Sequence, residues 1–177
     1  MNNDLVNTLA GLARTLQSDA PDAAWPALDR ALAATFGHKL FTVLAYDADA
    51  RLMLRPYSNR ADISPTGGAK RVTQSAWVKR VLEDGEPYIG SNAADIRTVF
   101  SEHALLIEKG CESVLNIPVR AAGEVVGVLN LLDGPGAYDD ADLGIAAIFA
   151  QLVAAPLLAV KASMPSPGDL GDALESV

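Results

Sequence analysis

Two apolar segments joined by a short polar turn constrain the fold of this chain more than any other feature. They cover residues 113–119 and 124–132, and the turn between them ends at Gly123. This is the pattern of an antiparallel β-hairpin. Because nearly every position is apolar, we expect both strands to lie inside a sheet that is covered on both of its faces.

Asn116 and Asn130 interrupt the apolar pattern of this hairpin. Side chains alternate between the two faces of a strand, so Asn116 shares a face with Val114, and Asn130 shares one with Leu132. An amide buried in a sheet costs free energy unless it is hydrogen-bonded. We therefore predict that the face carrying Val114, Asn116 and Asn130 is the floor of a small-molecule pocket.

The hairpin resembles the last hairpin of the GAF domain family. That family has small residues and a serine before the first strand, a proline within it, a glycine in the turn and a Val-Gly pair in the second strand. The matching positions here are Gly110, Cys111, Ser113, Val114, Leu115, Pro118, Gly123, Val126, Gly127, Val128, Leu129, Asn130 and Leu131. Residues 77–87, WVKRVLEDGEP, and 138–143, YDDADL, extend the resemblance, which runs from about residue 22 to 160.

The remaining periodicity predicts the order helix, helix, two strands, helix, short strand, helix, two strands, helix. This order indicates an α+β domain with an antiparallel sheet between helical layers. The GAF resemblance implies that the terminal helices cover one face and that loop and helix elements on the ligand side cover the other. We expect an N-terminal helix in residues 1–20, the domain in 21–162 and a flexible acidic tail in 163–177.

Polar residues before the apolar stretches predict where helices begin. Thr73, Asp95 and either Asp139 or Asp140 are expected to cap helices that end near residues 85, 109 and 161. The first helix carries leucines at helical spacing, at positions 5, 9, 12 and 16. This seam is too short for an independent coiled coil, so it packs either on the terminal helix of its own domain or on a second copy. The resemblance favours a homodimer formed through the terminal helices.

Composition and charge argue against several classes of partner. The 14 basic and 22 acidic residues give a net charge of −8, which opposes binding to nucleic acid and to anionic lipid. The N-terminus has no signal-peptide pattern, so we expect a cytoplasmic protein. Residues 143–160 are apolar, but they include Gln151 and Pro156 and lack basic or aromatic anchors, so we expect no membrane span.

Enzymatic chemistry has little support in the sequence. Cys111 is the one cysteine and shows no neighbouring base, so it is expected to be a small buried hydrophobic residue. With only two histidines, we expect no metal site and no cofactor. Ser101, Glu102 and His103 are consecutive in a predicted helix and diverge around its axis, so they cannot form a catalytic relay.

Three branches of the GAF family are disfavoured by particular residues. The free methionine sulfoxide reductase branch uses several cysteines and pocket acids, whereas this chain has Cys111 alone and places Val114, Asn130 and Leu132 at the acidic positions. The bilin-binding branch has a histidine after its cysteine, where this chain has Glu112. The N-K-F-D-E signature of the cyclic-nucleotide branch is missing.

Binding is the function that the sequence favours. The predicted ligand-binding residues are Tyr46, Tyr57, Trp77, Ile89, Phe100, Val114, Asn116 and Asn130, with residues 89–100 as a lid. Lys70 and Arg71, which follow two glycines, are a possible contact for an anion. Core packing is the alternative for each aromatic residue, and a solvated turn is the alternative for residues 66–71.

Three functions therefore remain open. The first is a non-catalytic sensor or signalling adaptor that binds a small molecule and forms a homodimer. The second is an enzyme similar to the free methionine sulfoxide reductases, which requires a reactive Cys111. The third is a dimerisation module without a ligand, in which Trp77 or Phe100 fills the pocket.

Overall fold

A six-stranded antiparallel sheet is the middle layer of the structure, a computed structural model that describes residues 3–18, 20–166 and 168. Its strands are β1 (Leu40–Asp47), β2 (Leu52–Ser58), β3 (Ala69–Arg71), β4 (Tyr88–Gly90), β5 (Ser113–Ala121) and β6 (Glu124–Asp133). They lie in the order β3-β2-β1-β6-β5-β4. The predicted hairpin is β5 and β6, and β6 is paired on both sides because β1 lies against its other edge.

Helices cover both faces of this sheet, as an α+β sandwich requires. They are α1 (Asn3–Leu16), α2 (Ala24–Thr35), α3 (Ala93–Val99), α4 (His103–Glu108), α5 (Leu143–Leu152) and α6 (Ala154–Ala162), with a 3-10 turn at Pro21–Ala23 and a π-helix at Val78–Glu83. We call the face covered by α1, α2, α5 and α6 the helix face. The π-helix, α3 and α4 lie over the opposite face. The predicted fold class and the predicted layers are confirmed.

The largest apolar core lies between the sheet and the helix face. Leu28, Phe41, Leu129 and Phe149 are each fully buried there. Burying a side chain of this size contributes about 1.5–3 kcal/mol. Gly127 permits the close packing of α6 on the sheet, because a Cβ atom at this position would lie 2.7 Å from Leu157 Cδ1 of α6, and 2.3 Å from the backbone oxygen of Leu44 in β1.

The leucine seam of α1 packs on its own domain, which is the first of the two alternatives. Leu12 is 3% exposed, and Leu5, Leu9 and Leu16 are partly buried against the same core. The helix contacts α2 and α5. Most of the seam is therefore already used within the chain.

The third helical segment differs from its prediction. Ser75 Oγ, rather than Thr73, accepts a hydrogen bond from the backbone N–H of Val78 at 3.1 Å. The segment then continues as a π-helix, in which the N–H of Asp84 donates to the carbonyl oxygen of Lys79, five residues earlier, at 2.9 Å. The π-helix buries Val78 and other apolar side chains against the sheet.

The last helix begins later than predicted and is broken. The Asp142 carboxylate, not Asp139 or Asp140, accepts from the N–H groups of Gly144 and Ile145 at 2.9 and 3.1 Å. Pro156 has no N–H for the carbonyl four residues earlier, so α5 ends and α6 begins with a bend of 49°. Within the described part of the chain no single helix is long and apolar enough to span a membrane, although the bent pair α5 and α6 satisfies length and composition together. The predicted tail, residues 163–177, lies largely outside the described residues.

Candidate functional site

A cavity of about 70 Å³ lies on the face of the sheet opposite the helix face. On this measure roughly 10–15 Å³ holds one water molecule, so the cavity has room for a small organic molecule. Its apolar lining is Leu40, Leu44, Met53, Leu54, Trp77, Val99, Phe100, Leu106 and Leu132. Its polar lining is Thr42, Arg55, Ser64, Lys70, Glu102 and Asn130, together with Gly67 and Gly68.

A chain of hydrogen bonds runs under this cavity across three strands. Trp77 Nε1 donates to Asn116 Oδ1 at 2.9 Å, and Asn116 Nδ2 donates to Asn130 Oδ1 at 2.6 Å. Asn130 Nδ2 then donates to Thr42 Oγ1 at 3.1 Å. Both amides are almost completely buried, so these bonds avoid the cost of unpaired polar groups. The prediction that both amides lie on the pocket side of the sheet is confirmed.

The cover of the cavity comes from a break between α3 and α4. Asn92, rather than Asp95, caps α3, because its side chain accepts from the N–H groups of Ala94 and Asp95. The single helix predicted to reach residue 109 is interrupted at Phe100, where the backbone is extended with φ −111° and ψ 129°. This interruption brings Phe100 and Glu102 to the cavity.

The charged part of the lining is formed by Arg55, Lys70 and Glu102. Lys70 Nζ lies 3.5 Å from Glu102 Oε1, and Ser101 Oγ donates to Glu102 Oε2 at 2.9 Å. Burial acts to raise the pKa of Glu102, but the Ser101 hydrogen bond and the charges of Lys70 and Arg55 outweigh it, and the pKa lies below its usual value. Burial lowers the pKa of the Arg55 guanidinium, and the Glu102 charge opposes that effect.

The structure brings part of the predicted site together at this cavity. Trp77, Phe100, Asn130 and Lys70 line it. Three other predicted residues face the same side of the sheet without lining it: Asn116 is held under Trp77, Val114 packs in the cluster with Leu132, and Tyr46 packs with Met53 and Val78.

The prediction that Tyr57 and Ile89 line the pocket is wrong, because both side chains lie on the helix face. Tyr57 pairs with Val43, and its hydroxyl donates to Asp29 Oδ2 at 2.6 Å. Between Val43 and Ala45 the register shifts, so β2 carries an extra residue at Arg55 or Pro56 and the face of Tyr57 is inverted.

Alternation along the strands explains why Ile89 and Arg71 do not reach the cavity. In β4, Tyr88 pairs with Asn116 and shares the cavity side, while Ile89 pairs with Leu115 and packs on the helix face. Arg71 follows Lys70 in β3, so its side chain points away from the cavity. Arg71 is exposed.

Sequence reasoning missed Thr42, Arg55 and Glu102. Thr42 joins the site because β1 pairs with β6 and places it directly opposite Asn130. The alternation of β1 could have placed Thr42 on the same face as Leu40 and Leu44, but not beside a particular residue of β6. Arg55 lies two residues after Met53, so alternation places both on one face of β2, but the sequence did not reveal that this face holds the cavity. Glu102 depends on the break after α3, which the sequence pattern did not reveal.

Cys111 lies away from the cavity lining. It is fully buried and packs in a cluster with Leu40, Ile96 and Val114. Burial raises the pKa of its thiol, which disfavours the nucleophilic thiolate. Among the described residues, no group of three or more His, Cys, Asp or Glu side chains is placed to hold a metal ion.

Comparison with known proteins places this fold in a family. A family model described as GAF domain matches residues 17–157. The structure is similar to the GAF domain of an Acinetobacter phosphoenolpyruvate-protein phosphotransferase, with a TM-score of 0.71 and 17% identity over 93% of this chain and 99% of that one. It is also similar to the GAF domain of a Bacillus halodurans two-component sensor histidine kinase, with a TM-score of 0.60 and 18% identity over 80% and 95% of the two chains.

An enzyme is also among the similar structures. A type II free methionine-R-sulfoxide reductase from Thermoplasma acidophilum has a TM-score of 0.59 and 11% identity, over 81% of this chain and 95% of that one. None of the curated proteins matches this chain. At these identities the solved structures support the fold and not a shared activity.

Proposed function

The chain belongs to the GAF domain family, and from that premise we propose that it is a non-catalytic cytoplasmic sensor or signalling adaptor that binds a small molecule. The family consists of small-molecule-binding sensor and signalling domains. The observation that carries the proposal is the cavity between the amide side of the sheet and the cover formed by Trp77 and Phe100.

The lining of the cavity suits recognition of a small molecule. Apolar walls exclude water, and a few fixed polar groups supply orientation. The Trp77–Asn116–Asn130–Thr42 chain holds the polar floor in place, because its three hydrogen bonds are formed before a ligand enters. A floor arranged in advance reduces the ordering cost of binding.

The cover is built from short elements, which suits a response to binding. The helices α3 and α4 have 7 and 6 residues and are separated by the extended Phe100. Short segments with few buried contacts open at lower free energy than the sheet does. A ligand under Phe100 would therefore change the cover more than the strands beneath it.

The reductase-like alternative has less support. Such a reaction begins with a thiolate that reaches the substrate, and a second thiol then resolves the oxidised sulfur. Cys111 is buried, does not line the cavity and has no second cysteine as a partner. These features favour the proposal of a binding protein over that of an enzyme.

Self-association is the second part of the proposal. The large apolar side chains that stay exposed include Leu143 (40%), Ile148 (47%) and Leu158 (44%), all on α5 and α6, and Val6 (41%) on α1. Because the leucine seam is largely used within the domain, we assign a homodimer to these outer side chains of the terminal helices. Light scattering of Ile148→Asp tests this assignment: the mass should fall to that of a monomer, and an unchanged dimer mass would contradict it.

Native mass spectrometry tests the proposed binding function. The protein should be analysed as purified, and again after incubation with the low-molecular-mass fraction of a cell extract. We expect an added mass that disappears under denaturing conditions. A mass equal to that of the polypeptide in both samples would contradict the proposal.

A further inference from the structure

Arg55 presents a buried donor that the described part of the chain does not use. Its Nη1 donates to the backbone oxygen of Pro65 at 2.9 Å, but its Nε is buried and has no hydrogen-bond partner among the described residues. The same side chain lines the cavity. A buried donor without an acceptor costs free energy, so such a group indicates a missing partner.

The charges around the cavity do not cancel. Arg55 and Lys70 contribute two positive charges and Glu102 one negative charge, and no other charged residue in the described part of the chain lines the cavity. Lys70 lies beside Glu102, with the charged atoms 3.5 Å apart. The excess of one positive charge therefore belongs to Arg55, which is also the residue with the unpaired donor.

We propose that the ligand of this cavity is a small monocarboxylate with an apolar body, bound with its carboxylate at Arg55. This inference rests on the proposed function of the cavity and specifies the chemistry of its ligand. A single carboxylate supplies the one negative charge that the lining lacks and an acceptor for Arg55 Nε. Guanidinium groups match carboxylates in geometry as well as in charge.

The rest of the lining restricts the ligand further. A cavity of about 70 Å³ fits roughly half a dozen non-hydrogen atoms on the scale where one water needs 10–15 Å³. Leu44, Met53 and Phe100 provide walls for an aliphatic chain. Thr42 Oγ1 accepts from Asn130, and a hydroxyl group can donate its own proton to a ligand at the same time. A phosphate monoester carries more negative charge than this lining balances.

Proton–nitrogen correlation NMR of the protein, which detects backbone and indole N–H groups, tests this inference, with isovalerate as the probe and isovaleramide as its neutral isostere. The chain has two tryptophans, so the two indole signals report separately on the cavity through Trp77 and on the helix face through Trp25. We expect isovalerate to shift the Trp77 signal saturably and to leave that of Trp25 in place. We expect isovaleramide to bind at least about tenfold more weakly, because it makes no charged hydrogen bond.

Two arginine variants test whether Arg55 is the residue that binds the carboxylate. Arg55→Gln should weaken binding of isovalerate by at least about tenfold and leave the weak binding of isovaleramide unchanged. Arg71→Gln removes the same charge from the next strand outside the cavity and should bind isovalerate as the wild type does. If Arg55→Gln does not fold, Arg55→Lys serves instead; it keeps the charge without the planar fork and should lose part of the affinity.

The outcomes separate this inference from the proposed function. Equal affinity for acid and amide, or full affinity in a folded Arg55 variant, would overturn the carboxylate inference while the cavity remained a binding site. A Trp77 signal that neither probe moves at millimolar concentration would also overturn it. The proposed function is then judged on its own by native mass spectrometry, since a retained neutral molecule would support binding and contradict a carboxylate.

Discussion

Replacement of the paired amides under the cavity should give a strongly non-additive loss of stability. Asn116→Leu removes the donor to Asn130 Oδ1 and leaves that oxygen in a side chain only 3% exposed. Asn130→Leu likewise strands Asn116 Nδ2, in a side chain that is 0% exposed. Each single substitution loses two hydrogen bonds and leaves a buried amide group unpaired, so we expect each to cost about 2–3 kcal/mol.

The double variant should cost much less than the sum of the two. Asn116 and Asn130 are directly paired across β5 and β6, so two leucines at these positions contact each other and strand no amide. Replacing both partners of a hydrogen bond by apolar groups is close to neutral. Allowing for the lost bonds to Trp77 and Thr42, we expect a total of about 2–3 kcal/mol and therefore a coupling energy near 2 kcal/mol.

Urea unfolding followed by circular dichroism measures all four proteins of this cycle. The slope of the unfolding free energy against urea concentration should be the same for all four proteins, so that shifts in the unfolding midpoint report changes in stability. As a control, Asp142→Ala on the helix face shares no partner with Asn130, and its effect should add to that of Asn130→Leu. Additive losses for the two asparagines would refute the hydrogen-bonded floor.

Three further predictions concern other parts of the molecule. Gly127→Ala should cost about 3 kcal/mol in urea unfolding, because its Cβ would lie 2.3 Å from the Leu44 oxygen in β1 and 2.7 Å from Leu157 Cδ1 in α6; a change below about 1 kcal/mol would contradict this close packing around Gly127. Burial acts to raise the pKa of Asp29, but hydrogen bonds from His38 and Tyr57 outweigh it and leave the pKa lowered. The stabilisation by the Asp29 carboxylate is therefore full above its unfolded pKa of about 3.9 and is lost as pH falls through the folded value. The stability gap between wild type and Asp29→Asn should narrow in unfolding curves below about pH 4, and a constant gap would be contrary evidence. Cys111 should react with a thiol reagent only slowly in the native protein and rapidly in denaturant, because it is buried with a raised pKa; rapid native labelling would revive the enzyme alternative.

The features that the sequence predicted most accurately are those that depend on the alternation of side chains within one strand. The hairpin, the burial of its strands and the common face of Asn116 and Asn130 all follow from a side-chain period of two, and the structure agrees. The GAF resemblance supplied the assignment of helices to the two faces of the sheet, which no single strand encodes. The order of the strands in the sheet was not predicted.

What the sequence did not reveal depends on breaks in regular structure. The bulge in β2 inverts Tyr57, and it occurs where Pro56 cannot donate to the ladder. The break at Phe100 places Glu102 at the cavity, although no glycine or proline marks it. Such local breaks are stabilised by tertiary contacts, so propensity and periodicity alone do not locate them.

Retention of a bound molecule by cavity variants tests the central claim most directly. Ser64 lines the cavity, so Ser64→Phe places a large side chain where the ligand would lie, and Ser18→Phe makes the same change on an exposed residue outside it. In native mass spectra of the protein loaded from cell extract, we predict that wild type and Ser18→Phe carry the added mass and that folded Ser64→Phe does not. An added mass retained by Ser64→Phe, or absent from all three proteins, would contradict a ligand site between Trp77, Phe100 and the amide side of the sheet.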